Sequence, residues 1–359
     1  MKKRIFVLLL LFRGLCVFSQ EVVYRAGVHN FFDNNEFAEC PVGNSQTMAG
    51  VHFVPQIGLR WETKHRIYAG WDALHEYGSD IPVGFCDPLA YYEYDSKHFR
   101  FYMGAFPRKP VLDKYPLFFF QDSIRNYRPV VEGFFWEYMS GKGDYFNIWL
   151  DWVSRQTMIR RESFFMGWSG RYNHGVLYGQ HFGYIRHFAG VEDHNHHTPV
   201  RDVGRMWTAL GIDLASKTGM DALDINAGWA LGLDRDRGTD DGWLTPQGIL
   251  SEIRAEYRGI GIFNTYYKGD SQSKFYDEFA CELYWDDRLY RATHYDRLDG
   301  YINFLKTDVV TLKFVYTLHF VSPGVFHEQQ LYATFDLDHP KKKNSGKKYR
   351  YLWDNWFSQ

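Results

Sequence analysis

The sequence predicts an all-β fold, in which a single antiparallel up-and-down β-barrel of about 16 strands crosses a membrane. Three observations support this prediction. Apolar and polar residues alternate along many segments, long and short connections alternate between those segments, and 19% of the 359 residues are aromatic. The aromatic set comprises 30 Phe, 26 Tyr and 12 Trp, an abundance that suits the aromatic girdles of a transmembrane barrel.

The composition excludes three other classes of protein. The net charge of −2 lacks the basic surplus of a nucleic-acid-binding domain, so no nucleic-acid partner is expected. The hydrophobic fraction of 45% is too high for a disordered chain. Mean hydropathy is −0.42, and beyond the first 20 residues no stretch approaches the roughly 18 apolar residues of a membrane-spanning helix.

Residues 1–19 have the pattern of a secretory signal peptide. Three basic residues at positions 2–4 precede an apolar stretch at 5–12, and Ser19 supplies a small residue before the expected cleavage point at Gln20. The sequence therefore predicts export through a cleaved signal peptide.

Alternation with period two predicts the strands. In 221–233, for example, Leu223, Ile225 and Trp229 share one face while Asp224 and Asn226 share the other. The same pattern occurs in 145–152, 205–214, 249–258 and 310–320. These segments run about 9–13 residues, which is the length that a tilted strand needs to cross a bilayer and is longer than most strands of soluble sheets. A secreted soluble β-protein is the alternative fold.

The connections discriminate between these folds. Long or medium connections alternate with tight ones along the chain. The long ones are 31–50, 75–87, 107–128, 189–203, 234–245 and 298–307, and the medium ones are 153–159 and 269–274. The tight ones are 62–65, 96–97, 140–143, 173–174, 215–220, 258–261 and 286–288. This order is typical of a meandering barrel with long outer loops and short periplasmic turns. We predict 16 strands over residues 20–337, with 14 to 18 open. The tail, 338–359, is basic and then aromatic, and its alternative role is that of the closing strand.

Three cysteines remain after signal removal. Cys40 and Cys86 both fall in predicted long loops and are the candidate disulfide pair, although connectivity does not follow from sequence. Cys281 lies on the apolar face of a predicted strand and is interpreted as a small hydrophobic residue.

The faces opposite the apolar ones would line the barrel interior. Their charges are of both signs, which suggests paired charges that brace the wall, or opposed stripes across a pore, rather than a ladder of one sign. The long connection 107–128, with its apolar run Phe118–Phe120, is the candidate for a loop folded into the lumen, since exposed apolar surface needs burial. The predicted lumen-lining and solute-binding residues are Glu132, Asp151, Arg205, Asp213, Asp224, Glu252, Arg254, Glu256, Arg258, Glu278, Glu282 and Lys313.

Other chemistry is less clearly indicated. His194, His196 and His197 could bind a transition metal weakly, but a histidine run in a long loop is more often solvated, and no cofactor is expected. Ser163 and His181 lie on adjacent predicted strands, yet no Gly-x-Ser-x-Gly nucleophile motif is present, so the sequence favours a protein that is not an enzyme. Arg160 and Arg161, at a strand entrance, could bind anionic sugars or lipid phosphates.

The sequence resembles the outer-membrane barrels of Bacteroidetes-type Gram-negative bacteria, and among them the porin-like group. The features that carry this resemblance are the signal ending Phe18-Ser19-Gln20, the aromatic alternating strands and the alternating loop lengths over 50–337. The resemblance implies a passive outer-membrane channel for small hydrophilic solutes, surrounded by outer-membrane lipid and open to homo-oligomer formation. Two alternatives stay open: a barrel enzyme acting on lipid or a surface polymer, and a non-conducting binding or assembly barrel.

Overall fold

The computed structural model describes residues 20–157, 160–193, 196–239, 241–339 and 349–354, with backbone alone over 191–198. The predicted signal peptide therefore lies outside the described residues. Across these ranges, sixteen strands form one closed antiparallel barrel, in which each strand pairs with its neighbours along the chain and the last pairs with the first. This architecture confirms the predicted fold class and the predicted strand number.

The barrel strands are 9 to 16 residues long. They are β1 (Glu21–Glu36), β2 (Gln46–Trp61), β3 (His65–Glu76), β4 (Phe85–Asp95), β5 (Phe99–Pro107), β6 (Val130–Met139), β7 (Tyr145–Ser154), β8 (Ser163–His174), β9 (Leu177–Phe188), β12 (Arg201–Asp213), β13 (Ala222–Asp236), β14 (Gln247–Tyr257), β15 (Ile260–Gly269), β16 (His294–Lys306), β17 (Val310–Val321) and β18 (Gly324–His339).

Short elements decorate the connections. Strands β10 (Val191–Asp193) and β11 (His196–Thr198) form a separate hairpin between β9 and β12. The helices α1 (Lys109–Leu112) and α2 (Ile124–Tyr127) lie between β5 and β6, and α3 (Tyr276–Leu283) lies between β15 and β16. No helix in the described ranges is both long and apolar enough to cross a membrane.

Alternation along each strand separates an inward from an outward face. In β2, His52, Val54 and Gln56 are buried inside the barrel, whereas Phe53 and Ile57 point outward and are exposed. Such exposed apolar side chains recur on nearly every strand, because successive side chains of a strand point to opposite faces of the sheet. The outward face is thus an apolar belt and the inward face is mostly polar or aromatic.

The two ends of the barrel differ. The short-turn end carries connections such as 62–64, 175–176 and 258–259, together with the start of β1 and the end of β18. The long-loop end carries 37–45, 77–84, 108–129, 155–162, 189–200, 237–246 and 270–293, and one short connection, 322–323. The first strand begins and the last strand ends at the short-turn end, which requires the even number of strands observed.

Two segments differ from the sequence prediction. The predicted connection 298–307 lies mostly inside β16. Asp299 does not end the strand, because it points inward and its carboxylate accepts hydrogen bonds from Arg297 (2.7 Å) and Thr317 (2.8 Å). The segment 275–285, predicted as a strand, contains α3, whose first turn carries Asp277 and Glu278 where carboxylates suit a helix N-terminus.

The tail and the cysteines also differ from expectation. Strand β18 pairs with both β17 and β1 and closes the barrel, whereas residues 349–354 form no strand and pack against the turn at 258–259. The predicted Cys40–Cys86 disulfide is wrong, since both cysteines are free. The side chain of Cys86 points outward from β4, while Cys40 packs against the core in the 37–45 connection. Cys281 is exposed on α3.

Two long loops fill the lumen near the long-loop end. We call residues 108–129 and 270–293 together the plug. Phe118 and Phe119 are fully buried, and Phe118 packs edge-on against Tyr290 with ring centroids 5.1 Å apart. The Gln121 amide donates to the Trp285 carbonyl at 2.8 Å, which joins the two loops. The predicted inward folding of the phenylalanine run is confirmed, and the core of the protein lies inside the barrel.

Candidate functional site

The lumen is divided into two parts. Toward the long-loop end the aromatic plug fills it, and Tyr115 ties the plug to the wall by donating its hydroxyl toward the Trp168 and Gly183 carbonyls at 2.8 and 3.0 Å. Below the plug lies a cavity of about 1010 Å³, lined both by plug residues such as Asn126 and by residues of the short-turn end such as Asp221. The cavity therefore faces the short-turn end and is roofed by the plug.

Eight of the predicted lumen residues do point inward. Asp151 and Arg205 are fully buried and hold the plug, through ion pairs to Arg108 (2.6 Å) and Asp286 (3.0 Å). The others, Asp213, Asp224, Glu252, Arg254 and Lys313, line the cavity, and Glu256 pairs with Arg254 beside it at 2.9 Å. A solute-binding role for these residues stays a prediction.

The other four lie elsewhere. Glu132 is on the outward face of β6, because the alternation there buries Val131 and Phe135 inside. Arg258 lies in the β14–β15 turn with a positive φ of 49°. Glu278 and Glu282 are exposed on α3 of the plug at the long-loop end, and neither projects from a barrel strand.

The metal candidates fall in the hairpin of β10 and β11. His194 lies outside the described residues, and for His196 and His197 the backbone alone is described. Among the side chains that the structure does describe, no group of three or more metal-ligating residues is present.

A buried charge network joins the plug to the wall, and the sequence prediction missed it. Arg297 forms ion pairs with Asp299 (2.7 Å), with Asp122 of the plug (3.2 Å) and with Glu328 (3.6 Å). His319 lies 3.0 Å from Glu328. Four of the five residues are buried and Asp122 is nearly so, and their pairing across the boundary between plug and wall makes the network an anchor for the plug, with Asp122, Arg297 and Asp299 also bordering the cavity.

The pKa values of two plug carboxylates near this network are shifted in opposite directions. Burial alone would raise the pKa of Asp122, but the guanidiniums of Arg297 and Arg125 outweigh it and hold that pKa below its ordinary value. Burial raises the pKa of Asp287, which forms no ion pair with any described residue and accepts a hydrogen bond from the Leu289 backbone amide at 2.9 Å.

Two His–Asp pairs lie on opposite sides of the barrel wall. Inside, Nδ1 of His52 lies 2.6 Å from the Asp72 carboxylate, and the other ring nitrogen, Nε2, is buried without a hydrogen-bond partner among the described residues. Outside, Nδ1 of His187 lies 2.7 Å from the Asp202 carboxylate. Asp202 also accepts a hydrogen bond from Arg237 Nε at 2.8 Å, and Arg237 Nη2 lies 2.7 Å from the same carboxylate oxygen as an ion pair.

Strand register places the outer pair in a row across the outward face. Trp152, Phe164, His187, Asp202 and Arg235 are successive partners on β7, β8, β9, β12 and β13. Phe164 stacks near Trp152 (5.2 Å between ring centroids) and His187 lies 5.2 Å from Phe164. The row sits within two residues of the long-loop ends of β8, β9 and β12. A polar His–Asp–Arg group thus interrupts the apolar belt at its rim.

The pairing of Ser163 with His181 that the sequence suggested is not formed. Ser163 points inward and is fully buried, where its hydroxyl accepts from Arg186 at 3.0 Å. His181 points outward, bonded to Thr208 at 2.7 Å and to the Trp168 indole at 3.0 Å. The two side chains are therefore separated by the barrel wall.

Solved outer-membrane proteins share this architecture. A loop L8 deletion mutant of OmpT from Vibrio cholerae aligns with a TM-score of 0.52 at 8% identity, covering 89% of this chain and 100% of that one. OccK11 (OpdR) of Pseudomonas aeruginosa aligns with a TM-score of 0.50 at 10% identity, covering 88% and 96%. At these identities the likeness establishes the fold alone. No curated protein matches the sequence.

A sequence family gives a more specific relationship. The profile of the family described as Lipid A 3'-O-deacylase-type matches residues 19–351, which is nearly the whole chain and all sixteen barrel strands. By this match the chain belongs to the Lipid A 3'-O-deacylase-type family.

Proposed function

We propose that this protein is an outer-membrane hydrolase that releases an ester-linked acyl chain from a lipid A-type glycolipid in the outer leaflet. The observation that carries the proposal is the His187–Asp202 pair on the outward face. Family membership supplies the substrate class, and the barrel fold supplies the outer-membrane location. With the long loops outside the cell, as transmembrane barrels place them, the row containing His187 lies at the outer interface.

The position of the pair suits a lipid substrate. Acyl esters lie at the boundary between headgroups and hydrocarbon, where aromatic residues of membrane proteins also concentrate. Trp152 and Phe164 occupy that level beside His187, and the His187 side chain is 28% exposed, so Nε2 can meet a bound ester. The inner His52 is only 3% exposed beneath the plug, and an outer-leaflet lipid has no path to it in this structure.

The chemistry assigned to the pair is general-base hydrolysis. His187 takes a proton from water at Nε2 while the water oxygen attacks the ester carbonyl. The same nitrogen returns the proton to the departing sugar oxygen, so that one ester and one water give a fatty acid and an alcohol. Asp202 accepts a hydrogen bond from Nδ1–H of His187 and thereby fixes the tautomer, and Arg237 holds Asp202 in place. The row contains no Ser, Thr or Cys, so water is the nucleophile.

The test is release of fatty acid from lipid A by the purified, folded protein in mixed micelles, measured by mass spectrometry. His187→Ala is expected to lower the rate about 10²- to 10⁴-fold, the usual contribution of a positioned base. His52→Ala is the matched control, because it removes the same side chain from an equivalent pair on the other side of the wall, and its rate should equal that of the parent protein.

Three results would contradict the proposal. If the folded parent protein released no fatty acid, the proposed activity would be wrong. If the His187→Ala variant kept full activity, the assignment of His187 as the general base would be wrong. Loss of activity in His52→Ala but not in His187→Ala would move the reaction into the lumen.

The second candidate is a channel for small hydrophilic solutes. The charged cavity below the plug favours it, since that half of the lumen is open to the short-turn end. Conduction requires the plug to leave the lumen, however. Single-channel recording in a planar bilayer separates the candidates: we expect the parent protein to be silent, and discrete conductance steps would favour the channel.

A further inference from the structure

A buried arginine near the long-loop end lacks a carboxylate partner. Arg186 is 3% exposed and points into the barrel from β9, where Nε donates to Ser163 Oγ at 3.0 Å. Nη1 has no hydrogen-bond partner, and within the described residues no carboxylate lies at ion-pair distance from this guanidinium. Because an isolated buried charge is strongly unfavourable, such a group points to a missing anionic partner.

Other arginines crowd the same aromatic side chains. Arg108, Arg128 and Arg186 lie 5.2, 5.6 and 5.2 Å from the ring centroid of Trp285. The guanidinium carbons of Arg186 and Arg161 lie 5.5 and 5.1 Å from the ring centroid of Phe188. The flat guanidinium groups therefore stack on two rings, an arrangement that holds cations without neutralising them.

The charges in this cluster do not balance. Asp151 pairs with Arg108 at 2.6 Å. In the described part of the chain, Arg128, Arg161 and Arg186 have no carboxylate within ion-pair distance, which leaves three guanidiniums without an ion pair. Burial and the nearby Arg201 lower the pKa of Arg161, as expected where cations crowd one another.

The cluster is open toward the outside. Arg128 is the penultimate residue of the plug segment 108–129 and is exposed, and Arg161 is half-buried in the connection before β8. Phe188 is the last residue of β9. All of these positions lie at the long-loop end, so the cluster reaches from exposed Arg128 through half-buried Arg161 to buried Arg186.

We propose that Arg128, Arg161 and Arg186, stacked on Trp285 and Phe188, form a binding site for a phosphate monoester group. Three guanidiniums match a dianion better than a single carboxylate, and their planar forks fit phosphate oxygens in pairs. Either free phosphate or the phosphorylated headgroup of a membrane glycolipid carries this chemistry. The site is independent of the proposed hydrolysis, because its evidence is the unpaired charge and its readout is binding.

The test titrates folded protein, solubilised in detergent and free of phosphate, with inorganic phosphate by calorimetry. A parallel arm measures binding to vesicles that contain lipid A, and to vesicles that contain the same lipid after enzymatic removal of its phosphates. Saturable binding of inorganic phosphate assigns the site to the free anion as well. Binding only to the phosphorylated vesicles assigns it to the headgroup.

Variants decide whether the arginines form the site. Arg128→Gln and Arg186→Gln are each expected to weaken binding about tenfold or more, since each removes a charged hydrogen-bond donor. Arg155→Gln is the matched control, an exposed arginine of the neighbouring 155–162 connection that stacks on neither ring, and it should bind like the parent protein.

Two outcomes overturn the proposal: no binding in either arm, or binding that Arg128→Gln leaves unchanged. Because Arg128 is exposed, the Arg128→Gln variant tests the site even if Arg186→Gln fails to fold, which migration on an unboiled gel would show. Loss of phosphate binding with intact fatty acid release, or the reverse, keeps this site and the hydrolysis distinguishable.

Discussion

The two His–Asp pairs have almost the same geometry and very different surroundings. His52 and Asp72 are 2.6 Å apart in a buried pocket roofed by the plug, and His187 and Asp202 are 2.7 Å apart on the outward face. The inner pair has an unpaired Nε2 that nothing from the membrane can reach. The outer pair has an open Nε2 beside an aromatic girdle. Local geometry is therefore not enough to assign a reaction, because the side of the wall decides which molecules arrive.

Loosening the plug should affect only the inner side, and it should produce the largest change in stability. Phe118→Ala with Phe119→Ala removes two fully buried rings, each worth about 3–5 kcal/mol, and should admit ions through the lumen. Fatty acid release at His187 should persist in the folded fraction. The measurements are planar-bilayer conductance and lipid A hydrolysis, with the outward-facing Phe53→Ala as control. Hydrolysis that disappears as conductance rises would show that the two sides are not separate.

Removing each histidine should cost unequal stability. His52→Ala leaves the buried Asp72 without its partner and should lower the free energy of unfolding by about 1–3 kcal/mol. His187→Ala leaves Asp202 bonded to Arg237 and should cost only about 0.5 kcal/mol. Urea unfolding followed by tryptophan fluorescence measures both. Equal losses would mean that the outer pair is as structural as the inner one.

Acid should loosen the inner side by a smaller amount. The pKa of Asp122 is lowered in the folded state, so its ion pair with Arg297 stabilises the protein above the ordinary carboxyl pKa of 3.8 and is lost as pH falls below that value. Asp122→Asn should flatten this acid dependence of unfolding.

Asp287→Asn is the control for this effect and should act in the opposite direction. Burial raises the pKa of Asp287, so its charge opposes folding near neutral pH and the amide should be tolerated. An acid profile that Asp122→Asn leaves unchanged would contradict the role of the ion pair.

Much of the architecture could be predicted from sequence, because period-two alternation and connection length are local properties. The inward position of Asp224 and the burial of Phe118–Phe120 both follow from such patterns. The strand predicted at 275–285 was wrong because its aromatic residues are buried against inward-facing side chains of distant strands and not by pairing in the sheet, as Trp285 illustrates with its ring 4.7 Å from that of Phe165 on β8.

The sites were harder to predict than the fold. His187 and Asp202 are 15 positions apart and meet only because the β9–β12 register makes them direct partners. Arg186 lies next to His187 yet faces the lumen, and only the three-dimensional arrangement shows that, among the described residues, no carboxylate lies at ion-pair distance from its guanidinium. Neither relationship is present in a linear pattern without the register.

The β1–β18 seam has a consequence for biogenesis. It joins residues about 300 positions apart, such as Asn34 and Gln329, and it is fastened by side-chain contacts including His29 with Asp336 at 2.7 Å. Closing so long a loop is entropically costly, and the β1–β18 pairing can form only after β18 has been synthesised. A chain truncated before Gly324 would expose two unpaired strand edges and leave the barrel open around Phe118–Phe120. Such a fragment should aggregate or be degraded instead of inserting as a smaller barrel.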